Sequence, residues 1–170
     1  MDIPVDAPRD AVMAGPAEVK AVHDWSAAVF TGGKPVERET AVRVKSSRQD
    51  FNVLCFGQSC METPVHIGER TFTHGLGTHA NSEIVLHLPP GAKAFKAFVG
   101  VDNNFNTQGR FGSVQFSVEV AGKEVFRTAT LKGGQAPVPA SVDLPEGTRV
   151  LTLKVDSTPD GPGSDQADWA

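Results

Sequence analysis

The feature that most constrains the fold of this chain is a series of short, β-rich runs that begins at Phe51. In order, these runs are FNVLCF, HIGERTFT, EIVLHL, AFKAFVGV, SVQFSVEV, KEVFRTATL, PASVDL and RVLTLKV. Turn sequences separate them, and no helical apolar period lies between them. The 17 glycines and 12 prolines fit many turns and few helices. The sequence therefore predicts an all-β fold, an antiparallel β-sandwich.

Apolar and polar residues alternate strictly in two of these runs. In residues 114–120 and again in residues 151–155, every second residue is apolar, which is typical of a sheet with one buried face. The run AFKAFVGV departs from this pattern, because Phe95 and Phe98 cannot share a face in regular pleating. We expect a bulge or a change of register there.

Length and charge exclude two classes of partner. The chain has 170 residues, long enough for one domain with its own core, and its net charge is −4. Because it has no cluster of lysine and arginine interleaved with aromatic residues, we expect no nucleic-acid partner. No apolar run approaches the roughly 20 residues of a spanning helix, so we expect no membrane insertion.

The first fifty residues are less regular than the rest. They contain one possible short strand, around AVRVK, and their N-terminus lacks the pattern of a signal peptide. We predict that residues 1–50 form an N-terminal extension, a linker or extra strands, and that residues 51–170 form the sandwich. Either the protein is cytoplasmic, or it is exported and its signal peptide is not part of this sequence.

Two cysteines, Cys55 and Cys60, lie close together in LCFGQSC. Facing positions across a tight hairpin would bring them within disulfide range, so a disulfide stays open for an exported protein. A zinc site is not indicated, because the pair has no second Cys/His pair.

Strand directions bring three polar segments to one edge of the predicted sandwich. If EIVLHL and AFKAFVGV form a hairpin through PPGAK, residues 78–82 and 102–110 meet at that edge. If PASVDL and RVLTLKV also form a hairpin, the loop 156–170 lies over the same edge. We therefore predict a polar site there, although the residues of THANS also suit local turns that satisfy backbone groups.

Oxygen-rich side chains at this edge suggest a calcium site. Carboxylate and amide oxygens are the side-chain ligands that Ca²⁺ prefers. The candidate ligands are Asp102, Asn103 and Asp165, and their spacing is not that of an EF-hand.

Sequence motifs for catalysis are missing. The chain has no nucleophile elbow, zinc-protease motif, P-loop or dinucleotide fingerprint. Four aspartates near the C-terminus, at positions 156, 160, 165 and 168, keep a hydrolase open as an alternative.

From about residue 51 to residue 170 the chain closely resembles the NPCBM domain, which is grouped with family 51 carbohydrate-binding modules. Four motifs carry the resemblance: FTHGLGTHANSEIVLHL, FVGVDNN, GSVQFSVEVAGKEVF and DGPGSDQADWA. The resemblance implies a jelly-roll sandwich like that of galactose-binding domains. It also implies attachment to a secreted, α-galactosidase-like glycoside hydrolase, recognition of galactose-containing glycans, and a structural calcium ion in many members.

Two positions depart from the family pattern. Gln166 stands where the family often has histidine, which puts its sugar contact in doubt. The sequence also stops at DWA, where family members continue into a short strand, so we expect a module cut from a longer protein or one that lacks its closing strand. A secreted or periplasmic location follows from the resemblance.

The polar groups of the predicted edge suit the hydroxyls of a galactose ring, and an aromatic ring would cover its C–H face. Candidate polar contacts are His79, Asn81, Asp102 and Gln166. Candidate stacking rings are Phe105, Phe111 and Trp169. We therefore predict a non-catalytic carbohydrate-binding module; the alternative is a structural domain that packs on an attached catalytic domain and binds no sugar.

Overall fold

A computed structural model describes residues 41–170, which form thirteen β-strands. Among these residues, no helix is long and apolar enough to cross a membrane. The strands are β1 (Arg43–Gln49), β2 (Cys55–Phe56), β3 (Val65–Ile67), β4 (Arg70–Phe72), β5 (Leu76–His79), β6 (Ser82–His87), β7 (Ala94–Val101), β8 (Ser113–Val120), β9 (Lys123–Arg127), β10 (Leu131–Lys132), β11 (Val138–Asp143), β12 (Val150–Ser157) and β13 (Gln166–Trp169).

The strands form two antiparallel sheets that pack face to face. The first sheet has the order β1-β6-β12-β8-β10, with β9 also paired to β8. The second sheet has the order β11-β7-β13-β5-β2, and β3 and β4 form a separate hairpin. The predicted antiparallel sandwich is therefore confirmed. Strand β1 lies before the predicted domain boundary at residue 51 and pairs with β6.

The core lies between the two sheets and follows the predicted alternation. Leu151, Leu153 and Val155 of β12 are buried, as are the apolar residues of the first six positions of β8. At the centre, the ring of Trp169 meets the ring of Phe116 edge to face, with centroids 5.1 Å apart. These contacts place β13 across the middle of the second sheet, so its residues alternate between the core and the outer face.

The two predicted hairpins through PPGAK and LPEGT are wrong. Strands β6 and β7 lie in different sheets, and so do β11 and β12. Turn chemistry does not distinguish a hairpin from a connection that crosses between sheets, because both need the same glycine and proline conformations. A strand that follows a connection to the other sheet still runs back toward the edge of the sandwich at which the preceding strand began. The predicted meeting of the polar segments at that edge therefore does not depend on the hairpins.

The predicted irregularity in AFKAFVGV is also wrong. Strands β7 and β11 pair in continuous register from Ala94 to Val99. Phe95 faces the core and contacts Trp169, while Phe98 faces outward and contacts the ring of Phe72. Both faces of this strand are covered, so apolar residues on opposite faces need no bulge.

The outer face of the second sheet is covered by the segment 57–74. Gly77 of β5 lies directly beneath Gln58 and Ser59, and Gly100 of β7 lies directly beneath the side chain of Ile67. A Cβ atom at either glycine would overlap these neighbours. Glycine at both positions therefore allows the covering segment to close on the sheet.

Cys55 and Cys60 are buried free thiols, so the disulfide that the sequence left open is not formed. Burial raises the pKa of the Cys60 thiol to about 12. This thiol is therefore protonated at neutral pH and behaves as a small apolar residue of the covering segment.

Candidate functional site

A cleft of about 360 Å³ opens at the edge of the sandwich where β5 ends and β13 begins. Residues from all three predicted polar segments line it, together with residues from the segment 51–61, which the sequence did not assign to the site. The lining residues are Phe51, Asn52, Met61, His79, Asn106, Pro162, Gly163, Ser164 and Gln166. The ends of β5 and β13 and loops that are distant in sequence therefore form one concave surface with both polar and apolar groups.

His79 ends β5 and forms one wall of the cleft. Its Nδ1 donates a hydrogen bond to the carbonyl oxygen of Ala80 at 2.7 Å. Its ring meets the ring of Phe51 edge to face, with centroids 5.1 Å apart. Because a carbonyl oxygen only accepts, Nδ1 carries a proton, and Nε2 is the nitrogen left for a ligand. The two contacts fix the ring before any ligand arrives.

Gln166 begins β13 and pairs with His79 across the strands. Its side chain is buried, and its Oε1 atom has no hydrogen-bond partner. A buried acceptor left without a partner costs about 1–3 kcal/mol. Because this oxygen is enclosed behind the surface of the cleft, a ligand donor would reach it only after the side chain moved.

Asp165 holds the final loop against the rest of the edge. Its Oδ1 accepts a hydrogen bond from the backbone N–H of Ser113 at 2.8 Å, and its carbonyl oxygen accepts one from the N–H of Ala80 at 3.1 Å. Burial raises the pKa of its carboxyl group to about 6, against the opposing effect of the Ser113 N–H. Asp165 therefore positions the loop that forms the far wall of the cleft.

Asn81 lies beside the cleft, in a smaller pocket of about 170 Å³. Its Nδ2 donates to Asp50 at 3.0 Å, and its Oδ1 accepts from the backbone N–H of Ser157 at 2.8 Å. The peptide between Ala80 and Asn81 is cis. Asn81 thus ties two distant segments of the rim together, which is a structural role but not the local turn that the sequence also suggested for THANS.

Two predicted sugar contacts are enclosed and require correction. Asp102 is fully buried, and its carboxylate accepts hydrogen bonds from the His66 N–H at 3.0 Å and the Asn104 amide at 2.6 Å. Trp169 is buried in the core between Phe95 and Phe116. Neither side chain presents a surface to a ligand, because the covering hairpin encloses one and the core encloses the other.

Phe51 is the aromatic ring that the structure places in the cleft, with half of its surface exposed. Phe105 and Phe111, the other predicted stacking rings, are exposed outside the cleft lining. Sequence reasoning missed Phe51, Asn52 and Met61 because no local pattern connects them with His79, which lies 18 to 28 residues further along the chain.

Two of the three predicted calcium ligands are bonded to the β3–β4 hairpin and the third to the start of β8. Asp102 is bonded to the β3 backbone, Asn103 donates to the carbonyl oxygen of Gly68 at 3.2 Å, and Asp165 is bonded to Ser113. Within residues 41–170, no group of three or more His, Cys, Asp or Glu side chains is arranged to hold a metal ion. The predicted calcium site therefore stays a prediction.

One further carboxyl group has unsatisfied oxygens. Asp168 of β13 is fully buried between Gly77 and Gly100 in the neighbouring strands, where its carboxyl group meets that of Asp102 and its oxygens accept no hydrogen bond from an N–H or hydroxyl group. Burial, and then the negative charge of Asp102, raise the pKa of Asp168 well above its ordinary range. The pair Asp102 and Asp168 is the place in this domain where two buried carboxyl groups act on each other.

The fold and the cleft together define a class: a jelly-roll β-sandwich module with a shallow, preformed site at one edge. The chain belongs to the NPCBM/NEW2 domain family, whose model matches residues 20–170. The resemblance predicted from the four motifs is therefore confirmed, and the match begins upstream of residue 51.

Two curated relatives are much longer than this chain. One, from Renibacterium salmoninarum, is named as an endo-alpha-N-acetylgalactosaminidase; it is 33% identical over 107 residues, which are 63% of this chain and 7% of that protein. The other, alpha-1,3-galactosidase B from Akkermansia muciniphila, is 29% identical over 137 residues, which are 76% of this chain and 17% of that protein.

Solved structures of carbohydrate-binding modules share the fold. The CBM51 of a Clostridium perfringens GH95 protein, in complex with methyl-galactose, is 28% identical with a TM-score of 0.66, and the match covers 75% of this chain and 91% of that one. The CBM51-2 and INT domains of Clostridium perfringens ZmpB, in complex with GlcNAc, are 27% identical with a TM-score of 0.69. That match covers 75% of this chain and 28% of the other.

Proposed function

We propose that this chain is a non-catalytic carbohydrate-binding module that recognises terminal galactose-type sugars in the cleft between His79 and Gln166. The observation that carries the proposal is a cleft that combines the acceptor Nε2 of a fixed His79 ring with a half-exposed aromatic ring, that of Phe51. A sugar supplies what each of these groups lacks: hydroxyl donors for the acceptor and a C–H face for the ring.

The size and lining of the cleft suit one sugar ring. A volume of about 360 Å³ lies at the lower end of ordinary small-molecule sites. Nε2 of His79 and the amides of Asn52, Asn106 and Gln166 offer both donors and acceptors to hydroxyls. Because a single ring buries little area and each hydrogen bond replaces one to water, we expect weak, millimolar-range affinity from one site.

The wider context is part of the same proposal. Family membership and the two longer relatives support a place within a larger glycoside hydrolase, of the α-galactosidase type, and a secreted or periplasmic location. Such a module raises the concentration of the catalytic domain at galactose-bearing glycans.

A non-catalytic role is supported by the chemistry of the lining. None of the nine residues that line the cleft is an aspartate or a glutamate. The acidic groups of the final loop have other contacts: Asp156 pairs with Arg127 at 3.1 Å, and Asp160 accepts a hydrogen bond from Ser113 at 2.8 Å. Glycoside hydrolysis ordinarily needs two carboxyl groups flanking the bond, and this cleft does not provide them.

The alternative of a structural domain has one observation in its favour. A groove of about 490 Å³ at the opposite edge of the sandwich includes Val120, Pro145 and Val150, and a neighbouring domain has apolar surface to pack on there. Titration calorimetry of the chain with methyl galactoside and a glycan array separates the two roles. Millimolar or tighter binding of galactosides supports the sugar-binding role, whereas a folded protein that binds no glycan leaves the structural role.

A structural calcium ion is a further part of the proposal. The carboxyl groups that would hold it are Asp168, whose oxygens accept no hydrogen bond from an N–H or hydroxyl group, and Asp102 beside it. Two buried carboxylates and backbone carbonyl oxygens of the covering segment are suitable ligands for Ca²⁺. When bound, the ion would neutralise this pair and hold the covering segment on the sheet.

Replacing Asp168 with asparagine tests the ion. In calcium, the wild type is expected to melt about 5 °C or more above its value in chelator, and the variant is expected to lose this difference. In chelator, the variant is expected to melt at a higher temperature than the wild type. The pKa of Asp168 is raised in the folded state, so the unfolded chain releases this proton first as pH rises above about 4, and stability falls with rising pH; the variant escapes this loss.

Thermal melts of both proteins at pH 5 and pH 8, with calcium and with chelator, measure these effects. Asp143→Asn, an exposed change on the edge strand β11, is the matched control and is expected to behave as the wild type. A melting temperature of the wild type that ignores calcium at both pH values rules out the ion.

A further inference from the structure

The guanidinium group of Arg70 is held on two aromatic rings at the outer face of the second sheet. Its Cζ atom lies 4.4 Å from the ring centroid of Phe98 on β7 and 4.8 Å from that of Phe72 on β4. The centroids of the two rings are 5.8 Å apart. Both cation distances are within the roughly 6 Å of a cation–π contact. Contact with two rings therefore restricts this long side chain, and a ligand that binds it has less conformational entropy to remove.

The hydrogen-bonding groups of this guanidinium are unused. Arg70 is exposed, and it makes no hydrogen bond or ion pair with any residue in the part of the chain that the structure describes. Arg110 also lies over a phenylalanine ring, but it donates to Gln108 at 3.1 Å. Stacking occupies the face of a guanidinium and leaves the N–H groups in its plane free. Arg70 therefore presents all of its donors to solvent.

A second cation lies on the same face of the sheet. Lys96 is exposed on β7, two residues before Phe98, and side chains two residues apart on a strand share a face at a spacing of about 7 Å. Within residues 41–170, its ammonium group makes no ion pair either. The whole chain carries a net charge of −4, so two unpaired cations side by side form a local positive patch on an acidic protein.

The backbone beneath the rings is closed to an added strand. Phe98 pairs with Pro139 of β11 on one side, and on the other it exchanges hydrogen bonds with Ala170 at 2.7 and 2.8 Å. A peptide that extends a sheet needs an open strand edge. A partner here is therefore recognised by side chains alone. A sugar with a carboxylate suits them, because its C–H groups pack on the rings while its carboxylate accepts from the N–H groups.

We infer that Arg70, Lys96, Phe72 and Phe98 form a second glycan site, selective for carboxylated sugars such as uronic acids. The guanidinium binds the carboxylate through two parallel N–H donors, and the ammonium group adds attraction at longer range. None of the four residues lines the cleft at the edge of the sandwich. The second site is therefore independent of galactose binding, and a module with both sites holds acidic glycans at two points.

A titration followed by nitrogen–proton correlation NMR tests the site with methyl glucuronide, methyl glucoside and sodium acetate. The Nε–H signal of Arg70 and the backbone N–H signal of Phe98 are expected to shift with glucuronide and to saturate at millimolar concentration. The glucoside lacks the carboxylate and acetate lacks the ring, so each is expected to bind at least about fivefold more weakly. Because the site is exposed, about 0.5 M salt is expected to weaken glucuronide binding severalfold.

Two variants of Arg70 assign the binding, with the Phe98 signal as the readout. Arg70→Gln removes the charge and keeps a planar end, and it is expected to bind glucuronide at least about fivefold more weakly than the wild type. Arg70→Lys keeps the charge and removes the paired donors, so a smaller loss is expected. Arg43→Gln, which changes an exposed arginine on β1 of the first sheet, is the matched control and is expected to bind as the wild type does.

His79→Ala separates this inference from the proposed function, because it alters the cleft and leaves the second site intact. This variant is expected to bind glucuronide as the wild type does, and a loss of that binding assigns the acid to the cleft and overturns a second site. Equal affinity of Arg70→Gln and Arg43→Gln for glucuronide overturns the role of Arg70. Acetate that binds as tightly as glucuronide overturns a sugar site. A wild type that binds glucuronide and no galactoside refutes the proposed function and supports the second site.

Discussion

Alanine at position 77 is expected to destabilise the domain by about 3 kcal/mol, the upper part of the range for overpacked sites. The added methyl group would overlap the carbonyl oxygen of Gln58 and the Cα atom of Ser59, which are backbone atoms and do not move aside as a flexible side chain does. The covering segment would have to lift from the second sheet. Urea denaturation at 25 °C measures the change as a lower midpoint.

Gly163→Ala provides the matched control for this effect. A methyl group at Gly163 meets no heavy atom within 4 Å, so its free energy of unfolding is expected to change by less than about 0.5 kcal/mol. If Gly77→Ala is as stable as this control, the covering segment does not pack as closely on β5 as described. Because Met61 lies in the covering segment and Asn52 contacts it, we also expect Gly77→Ala to weaken ligand binding.

Replacing His79 with alanine is expected to weaken the binding of every cleft ligand by about thirtyfold. The change removes one hydrogen-bonding nitrogen and the edge-to-face contact that positions Phe51, together worth about 2 kcal/mol. Calorimetric titration of methyl galactoside into the variant measures the loss.

His74→Ala is the control for this variant. His74 is exposed, precedes β5, and bonds to its neighbour Thr73 at 2.8 Å. It is expected to bind the sugar as the wild type does. An unchanged affinity in His79→Ala, with a melting temperature close to that of the wild type, would show that the ligand binds elsewhere on the sandwich.

Local sequence patterns predicted the strands well because the physics of a half-buried strand is local. Alternation in β8 and β12 specifies which side chains face the core, and this holds whichever strands are neighbours. Pairing is not local. The turns after β6 and β11 have the composition of hairpin turns, yet both cross between the sheets, since the partner of a strand depends on the whole core.

The same distinction between local and long-range information separates the residues of the candidate site that were predicted from those that were not. His79 and Gln166 were predicted at a shared edge, and the structure pairs them on β5 and β13. Asp102 and Trp169 were predicted at the same edge and are enclosed: the segment 57–74, whose position the sequence does not reveal, covers Asp102, and the core encloses Trp169. The same covering segment brings in Met61, and residues just before it bring in Phe51 and Asn52, which no motif marked.

The pairing of β5 with β13 has a consequence for how this module can change over evolution. Along both strands, residues that fill the core alternate with residues that face the cleft and the covering segment, so one register serves two purposes. Insertion of a single residue in either strand would exchange the two sets and abolish stability and binding together. Divergence in ligand preference is therefore expected in the loops that complete the cleft, around residues 51–61 and 162–164, where a substitution alters the ligand surface without shifting the register of the sheet.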